Sequence, residues 1–159
     1  MRGQRIKVPG NAADLVMRII GIAALAAVTV FVIVMWKRIP DVVPSHFNFR
    51  GQIDGYSGKK MLLFPLVIGW GIFGMVNLLS AIPQAWNIPV QLTAENMGRI
   101  LRTLKTMLLL IGMIVALFLA YMTFIMARGQ GMAPAALALF LVAVVLSTAV
   151  CTTRVFLQR

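Results

Sequence analysis

Four apolar runs, at residues 19–36, 61–82, 107–127 and 132–153, constrain this chain more than any other feature. Each supplies close to the roughly 20 residues that an α-helix needs to cross the hydrocarbon core of a bilayer. Inside lipid no water is at hand to bond a peptide group, so each crossing must satisfy its backbone within its own segment, which an α-helix does. Composition agrees. Hydrophobic residues make up 60% of the 159 and charged residues 12%, about half the charged fraction of a soluble domain, which is ~25%. The expected fold class is an all-α membrane protein of one domain over 1–159. It has four transmembrane helices in an antiparallel bundle, at about 15–36, 61–82, 94–127 and 132–153, and an ordered polar loop between the first two.

Local signals set the details. Arg2, Arg5 and Lys7 ahead of the first run look like the start of a secretory signal, but Lys37-Arg38-Ile39-Pro40 follows with no small-residue cleavage site. The run is therefore read as a retained helix, with Arg18 snorkelling to the headgroups. Pro83 helps to end the second helix. The third begins ahead of its apolar run, with Thr93 as N-cap and Glu95 in the first turn, where a negative charge suits the helix dipole. Arg99, Arg102 and Lys105 recur every third residue and form a basic stripe on that extension. Its first reading is attraction to anionic lipid, its second a docking site for a cytoplasmic protein. Pro134 is tolerated in the first turn of the fourth helix. The connection Arg128-Gly129-Gln130-Gly131 is short enough to make helices three and four an antiparallel hairpin.

Net charge is +11, from 15 Lys and Arg against 4 Asp and Glu. The basic residues border the apolar runs, which points to lipid headgroups and excludes nucleic acid as the partner. One side holds Arg2, Arg5, Lys7, Arg99, Arg102, Lys105, Arg154 and Arg159, eight in all, or nine with Arg18. The other holds Lys37, Arg38, Arg50, Lys59, Lys60 and Arg128, which is six. The positive-inside rule then places both termini in the cytoplasm.

No Asp, Glu, Lys or His lies in the middle of a crossing, which argues against a pump or ion-coupled transporter. The mild polar residues Thr29, Asn77, Tyr121, Thr123, Ser147 and Thr148 are expected to bond between helices, with Asn77 the one to watch for a functional role. Ala23 with Ala27, and Gly71 with Gly74, mark small-residue faces for the bundle or for a homo-oligomer. The 11 methionines, spread over all crossings, read as apolar filling. Cys151, the lone cysteine, reads as a small buried apolar residue, and with no second Cys there is no CxxC chemistry.

The segment 39–60, IPDVVPSHFNFRGQIDGYSGKK, differs from the rest. It holds the only His and two of the four acids. Pro40 and Pro44 stiffen its start, and Gly51, Gly55 and Gly58 allow turns. The candidate ligand- or partner-binding residues are Asp41, His46, Phe47, Asn48, Arg50 and Asp54. If residues 45–49 are extended, His46 and Asn48 share one face and Phe47 and Phe49 the other, which lies on the helix ends. Asp41, His46 and Asn48 are expected to converge. Several functions stay open. The loop is an interfacial cap, a binding surface, an extracytoplasmic metal or pH sensor built on Asp41, His46, Asn48 and Asp54, or part of a non-catalytic subunit of a membrane complex. A catalytic role ranks last, because no Ser, Cys or cofactor motif stands in a recognisable arrangement with His46. The expected metal and cofactor complement is none.

Ile39-Pro40-Asp41, Pro44, His46-Phe47-Asn48, Gly51, Asp54-Gly55 and Lys59, set between two transmembrane helices, closely resemble the DUF1648 motif. The resemblance covers about 15–82. It implies a multi-pass protein of the bacterial cell membrane, related to immunity proteins of the SdpI type that protect cells from a secreted peptide toxin. On that analogy the first loop recognises the peptide at the outer face, and the basic second loop signals to a cytoplasmic partner.

Overall fold

A computed structural model describes residues 7–159; Arg2 and Arg5 of the charge tally lie outside that range. The order is helix α1 (Ala12–Met35), strands β1 (Val42–Phe47) and β2 (Ile53–Gly58), a 3-10 turn (Lys59–Leu62), α2 (Leu63–Leu79), a second 3-10 turn (Pro83–Ala85), α3 (Met97–Ala127) and α4 (Pro134–Leu157). The four helices are each long and apolar enough to cross a membrane. The protein is thus a multi-pass, mainly helical membrane protein in contact with lipid.

Helix ends follow local chemistry more than hydrophobicity. α1 starts three residues ahead of expectation because Asn11 and Asp14 form a capping box, the Asn11 side chain accepting from the Asp14 N–H at 2.9 Å. α2 stops at Leu79, short of residue 82, because a residue before proline is driven out of the helical region, and Ile82 sits at φ −122°, ψ 72°. The α3 cap differs from expectation. Asn96 is the N-cap, and Thr93 and Glu95 lie in the preceding turn. Thr93 Oγ1 accepts from the Asn96 N–H at 3.3 Å while Asn96 Oδ1 accepts from the Thr93 N–H at 2.8 Å, so the two polar side chains close that turn on each other. α4 carries Pro134 in its first turn as expected and runs on to Leu157, with Arg154 in its last turn, where a cation suits the dipole.

α3 is the central helix, packing along α1, α2 and α4, while α1 and α2 meet less extensively. Leu25, Val28 and Val32 of α1, Leu66 and Phe73 of α2, and Ala116 and Ala120 of α3 form the main core. Close approach uses glycines other than those the sequence singled out. A Cβ on Gly21 falls 2.3 Å from the Phe73 ring, one on Gly69 2.9 Å from Leu25, and one on Gly112 2.9 Å from Val76. Gly71 and Gly74 have nothing within 4 Å, and Ala23 and Ala27 are exposed. The expected small-residue faces therefore point outward, because one-turn spacing says that two residues share a face and not which way it looks.

Polar residues in the crossings divide. Thr29 accepts from the Trp70 indole at 3.1 Å, Asn77 accepts from Arg18 at 2.6 Å, and the Tyr121 hydroxyl accepts from the Ala133 N–H at 2.8 Å. Thr123, Ser147 and Thr148 instead bond carbonyls of their own helices, the local option open to short hydroxyl side chains. Arg18 also has partners within the bundle, for Asn77 and Ser80 hold its guanidinium. Cys151 is free and buried.

Candidate functional site: a β-hairpin fixed over the helix ends

The ordered polar loop is an antiparallel β-hairpin. Its base is tied at Asp41, whose carbonyl accepts from the Lys59 N–H at 2.8 Å and whose carboxylate pairs with Lys59 Nζ at 2.8 Å. The same ammonium sits 5.5 Å from the centre of the Trp36 ring, a cation–π contact at the end of α1. The hydrogen-bonded Lys59 ammonium and its charge hold the Asp41 carboxyl below its ordinary pKa.

Val43 and Pro44 turn inward and are almost fully buried. Ile39, Val43 and Leu62 pack with Met126 and Ala127 at the end of α3, and Phe47, Trp36 and Met35 close around them. Burying a side chain such as Val43 stabilises by about 1.5–3 kcal/mol, so this apolar underside is what seats the hairpin. The tip is fixed separately. Gly51 has φ +77°, its carbonyl accepts from the Met132 N–H at 2.9 Å, and a Cβ there falls 2.1 Å from the Met132 carbonyl oxygen. Only glycine fits that approach.

Pairing is irregular between Pro44 and His46 and again between His46 and Phe47. An extra residue in one strand re-aims the side chains after it. His46 stands opposite Gly55, where a Cβ lies 2.9 Å from its own Cβ, and its Nδ1 meets Asp54 Oδ1 at 2.5 Å. Both side chains are exposed, at 73% and 41%. Behind the pair the Ser57 hydroxyl donates to Ser45 at 2.9 Å.

Each candidate residue can now be placed. Asn48 organises the turn. Its Oδ1 accepts from the Arg50 and Gln52 N–H groups at 2.9 and 3.0 Å, and its amide donates to Gln52 at 3.0 Å. Phe47 is half-buried beneath the hairpin, and Arg50 is exposed at the turn. The expected convergence of Asp41, His46 and Asn48 does not occur. Asp41 is engaged at the base and His46 with Asp54 near the tip, five residue steps apart along extended chain, roughly 16 Å at ~3.3 Å per residue. The extended segment ends at Phe47, so alternation breaks and Phe49 does not join Phe47 on the helix ends; it is 93% exposed. Among the described residues, no three His, Cys, Asp or Glu side chains gather in a group able to hold a metal ion.

The opposite end of the bundle holds a cluster that sequence reasoning missed. Asp14, 3% exposed, receives both terminal nitrogens of Arg102 and lies 3.4 Å from the Lys105 ammonium. Arg102 also donates to the Pro9 carbonyl and Lys105 to the Val8 carbonyl, each at 2.9 Å. Two of the three residues of the basic stripe are thus engaged by the protein itself, Lys105 buried and Arg102 half-buried, and Arg99 is exposed. The available signal was Asp14 itself, an acid in the first turn of a membrane-spanning helix, whose charge needs a partner there.

No curated protein and no solved structure matches the chain. A family model described as a domain of unknown function, DUF1648, matches residues 22–69, a narrower stretch than the 15–82 suggested by the motif. The matched stretch holds the second half of α1, the fixed hairpin and the first turns of α2.

Proposed function

We propose that the hairpin is a recognition surface facing the outside of a bacterial cell membrane, and that the protein is a non-catalytic immunity or signalling protein that meets a secreted peptide toxin there. Both termini are then cytoplasmic, in keeping with the Lys and Arg tally. The observation that carries this reading is the contrast between the two sides of the hairpin. Its underside and tip are fixed to α1, α3 and the α3–α4 connection, while Phe49 and Tyr56 stand 93% and 63% exposed on the other side. Fixed aromatics give contact area at low entropy cost. A membrane-active peptide concentrates at the bilayer surface through its own apolar area, at the depth where these rings wait. His46, Arg50 and Asp54 supply polar register. With Arg102 and Lys105 engaged, a cytoplasmic partner on that face has Arg99 as its exposed cation.

The exposed His46–Asp54 pair favours a second reading, a sensor of external acid. Its magnitude decides against that reading. An exposed ion pair is worth about 0.2–1 kcal/mol, too little to release a hairpin held at its base, underside and tip.

The test is survival of sensitive cells challenged with peptides encoded beside the protein's own gene, compared at equal membrane abundance. Wild type is expected to protect, and Phe49→Ala and His46→Ala to protect less. Equal survival with both variants removes the hairpin from the mechanism.

A further inference from the structure

β2 is the open side of the hairpin. β1 lies against α3 and the 3-10 turn with Val43 and Pro44 buried, whereas β1 is the one element β2 packs on to any extent, and no residue of β2 is buried. Outside the ladder with β1, no backbone N–H or carbonyl of residues 53–57 takes part in a turn, loop or cap bond with another part of the described backbone, and Gly58 leads into the 3-10 turn as its N-cap. Sheet edges are ordinarily guarded by proline, lysine or a covering element. Here the proline, Pro44, is in β1. β2 reads Ile53-Asp54-Gly55-Tyr56-Ser57-Gly58, and its single charge is already engaged by His46.

Charge decides what suits this edge. Arg50 just before β2 and Lys60 just after it are both exposed, while Lys59 is occupied by Asp41. A second copy of this chain is a poor partner. Antiparallel pairing of two β2 edges sets Arg50 of one copy beside Lys60 of the other, like charges at both ends of the new ladder. An extended strand with a carboxylate at each end meets a cation at each end instead.

We infer that β2 is a docking edge for an extended peptide segment of about six residues, bearing carboxylates at both ends, which adds as a third strand between Arg50 and Lys60. This rests on the recognition reading above and supplies its binding mode. Main-chain hydrogen bonds give affinity, the end charges give register, and Tyr56 covers one face of the added strand.

The experiment uses the full chain in nanodiscs of zwitterionic lipid and three fluorescent probes. The first is a strand of alternating Val and Thr with Glu at each end, the second carries Lys at each end, and the third is the Glu-ended strand N-methylated at alternate backbone positions. Binding is read by anisotropy and by amide exchange at residues 53–58. The Glu-ended probe is expected to bind and to slow exchange in β2, with the Lys-ended and N-methylated probes each about tenfold weaker. Arg50→Gln with Lys60→Gln should bring the Glu- and Lys-ended probes together. Equal binding of the N-methylated probe overturns strand addition. So does protection of residues 53–58 that needs no probe and grows with the number of copies per disc, which assigns the edge to a second copy. Failure of every probe, while Phe49→Ala and His46→Ala still reduce protection in cells, also overturns strand addition and leaves the recognition reading standing. Intact protection in those variants removes the recognition reading, whatever the probes do at the edge.

Discussion

Replacing Asp14 with asparagine keeps the shape of the side chain and removes its charge. In the wild type this carboxylate faces Arg102 and Lys105, and the Asp14 and Lys105 side chains are 5% and 9% exposed. Removing one partner of a buried ion pair costs about 3–5 kcal/mol, because the other charge is left where water cannot reach it. Two features place Asp14→Asn near the lower end. Arg102 keeps the Pro9 carbonyl and Lys105 keeps the Val8 carbonyl, each at 2.9 Å, and the Arg102 side chain is 27% exposed. The new amide oxygen can also still accept from the Asn11 N–H, as the carboxylate does. The expected loss is about 3 kcal/mol, roughly a hundredfold in the ratio of folded to unfolded protein. Equilibrium unfolding of the full chain in bicelles measures it. The triple variant Asp14→Leu, Arg102→Met, Lys105→Met carries no buried charge and should recover most of the loss. An Asp14→Asn variant within about 0.5 kcal/mol of wild type, the range of an ordinary surface substitution, refutes the reasoning.

Gly51→Ala should loosen the tip of the hairpin, because it adds left-handed strain and a clash with the Met132 carbonyl. Faster exchange of the Met132 amide reads this out, and Gly129→Ala, at φ +64° with open space around it, should cost only the backbone strain of about 1–2 kcal/mol. Gly21→Ala should destabilise by about 1–3 kcal/mol through the buried Phe73 ring, whereas Gly74→Ala, with no neighbour within 4 Å, should be neutral or slightly stabilising in the same unfolding measurement. The Asp41 carboxyl should titrate below an unpaired carboxyl in a carbon-detected NMR titration, and Lys59→Gln should return it to the ordinary range. Since the folded value is the lower one, the pair contributes above the unfolded carboxyl's pKa and its contribution is lost as pH falls from there through the lowered folded value. The base of the hairpin should therefore loosen only in strong acid.

Much of the bundle was legible in the residues because lipid leaves few choices. Four apolar runs of spanning length became four helices, and the short Arg128–Gly131 link made α3 and α4 neighbours. Cap positions were less legible, since Thr93 and Asn96 share one turn, each side chain accepting from the other's N–H, and Asn96 becomes the N-cap with no side-chain bond into α3. At Gly71 and Gly74 the sequence left the bundle and a second copy open, because periodicity fixes a shared face without fixing its partner, and the structure removes the bundle. The basic stripe misled for a similar reason. Arg102 and Lys105 stand at helical spacing whether lipid or Asp14 receives them, and only the tertiary approach of α1 to α3 decides. In the loop, prolines, glycines and aromatics correctly signalled order. The irregular pairing around His46 was invisible, and with it the choice of Asp54 over Asp41 as the partner of His46 and the outward turn of Phe49.

The central claim is that the fixed hairpin meets a secreted peptide at the outer membrane face. Its most direct measurement is a photo-crosslinking amino acid at position 49, in intact cells that secrete the cognate peptide, with a second probe at position 99 on the opposite end. The account predicts peptide adducts at position 49, their loss in a peptide-deficient strain, and none at position 99. Adducts to cytoplasmic proteins at position 49, or peptide adducts confined to position 99, contradict it.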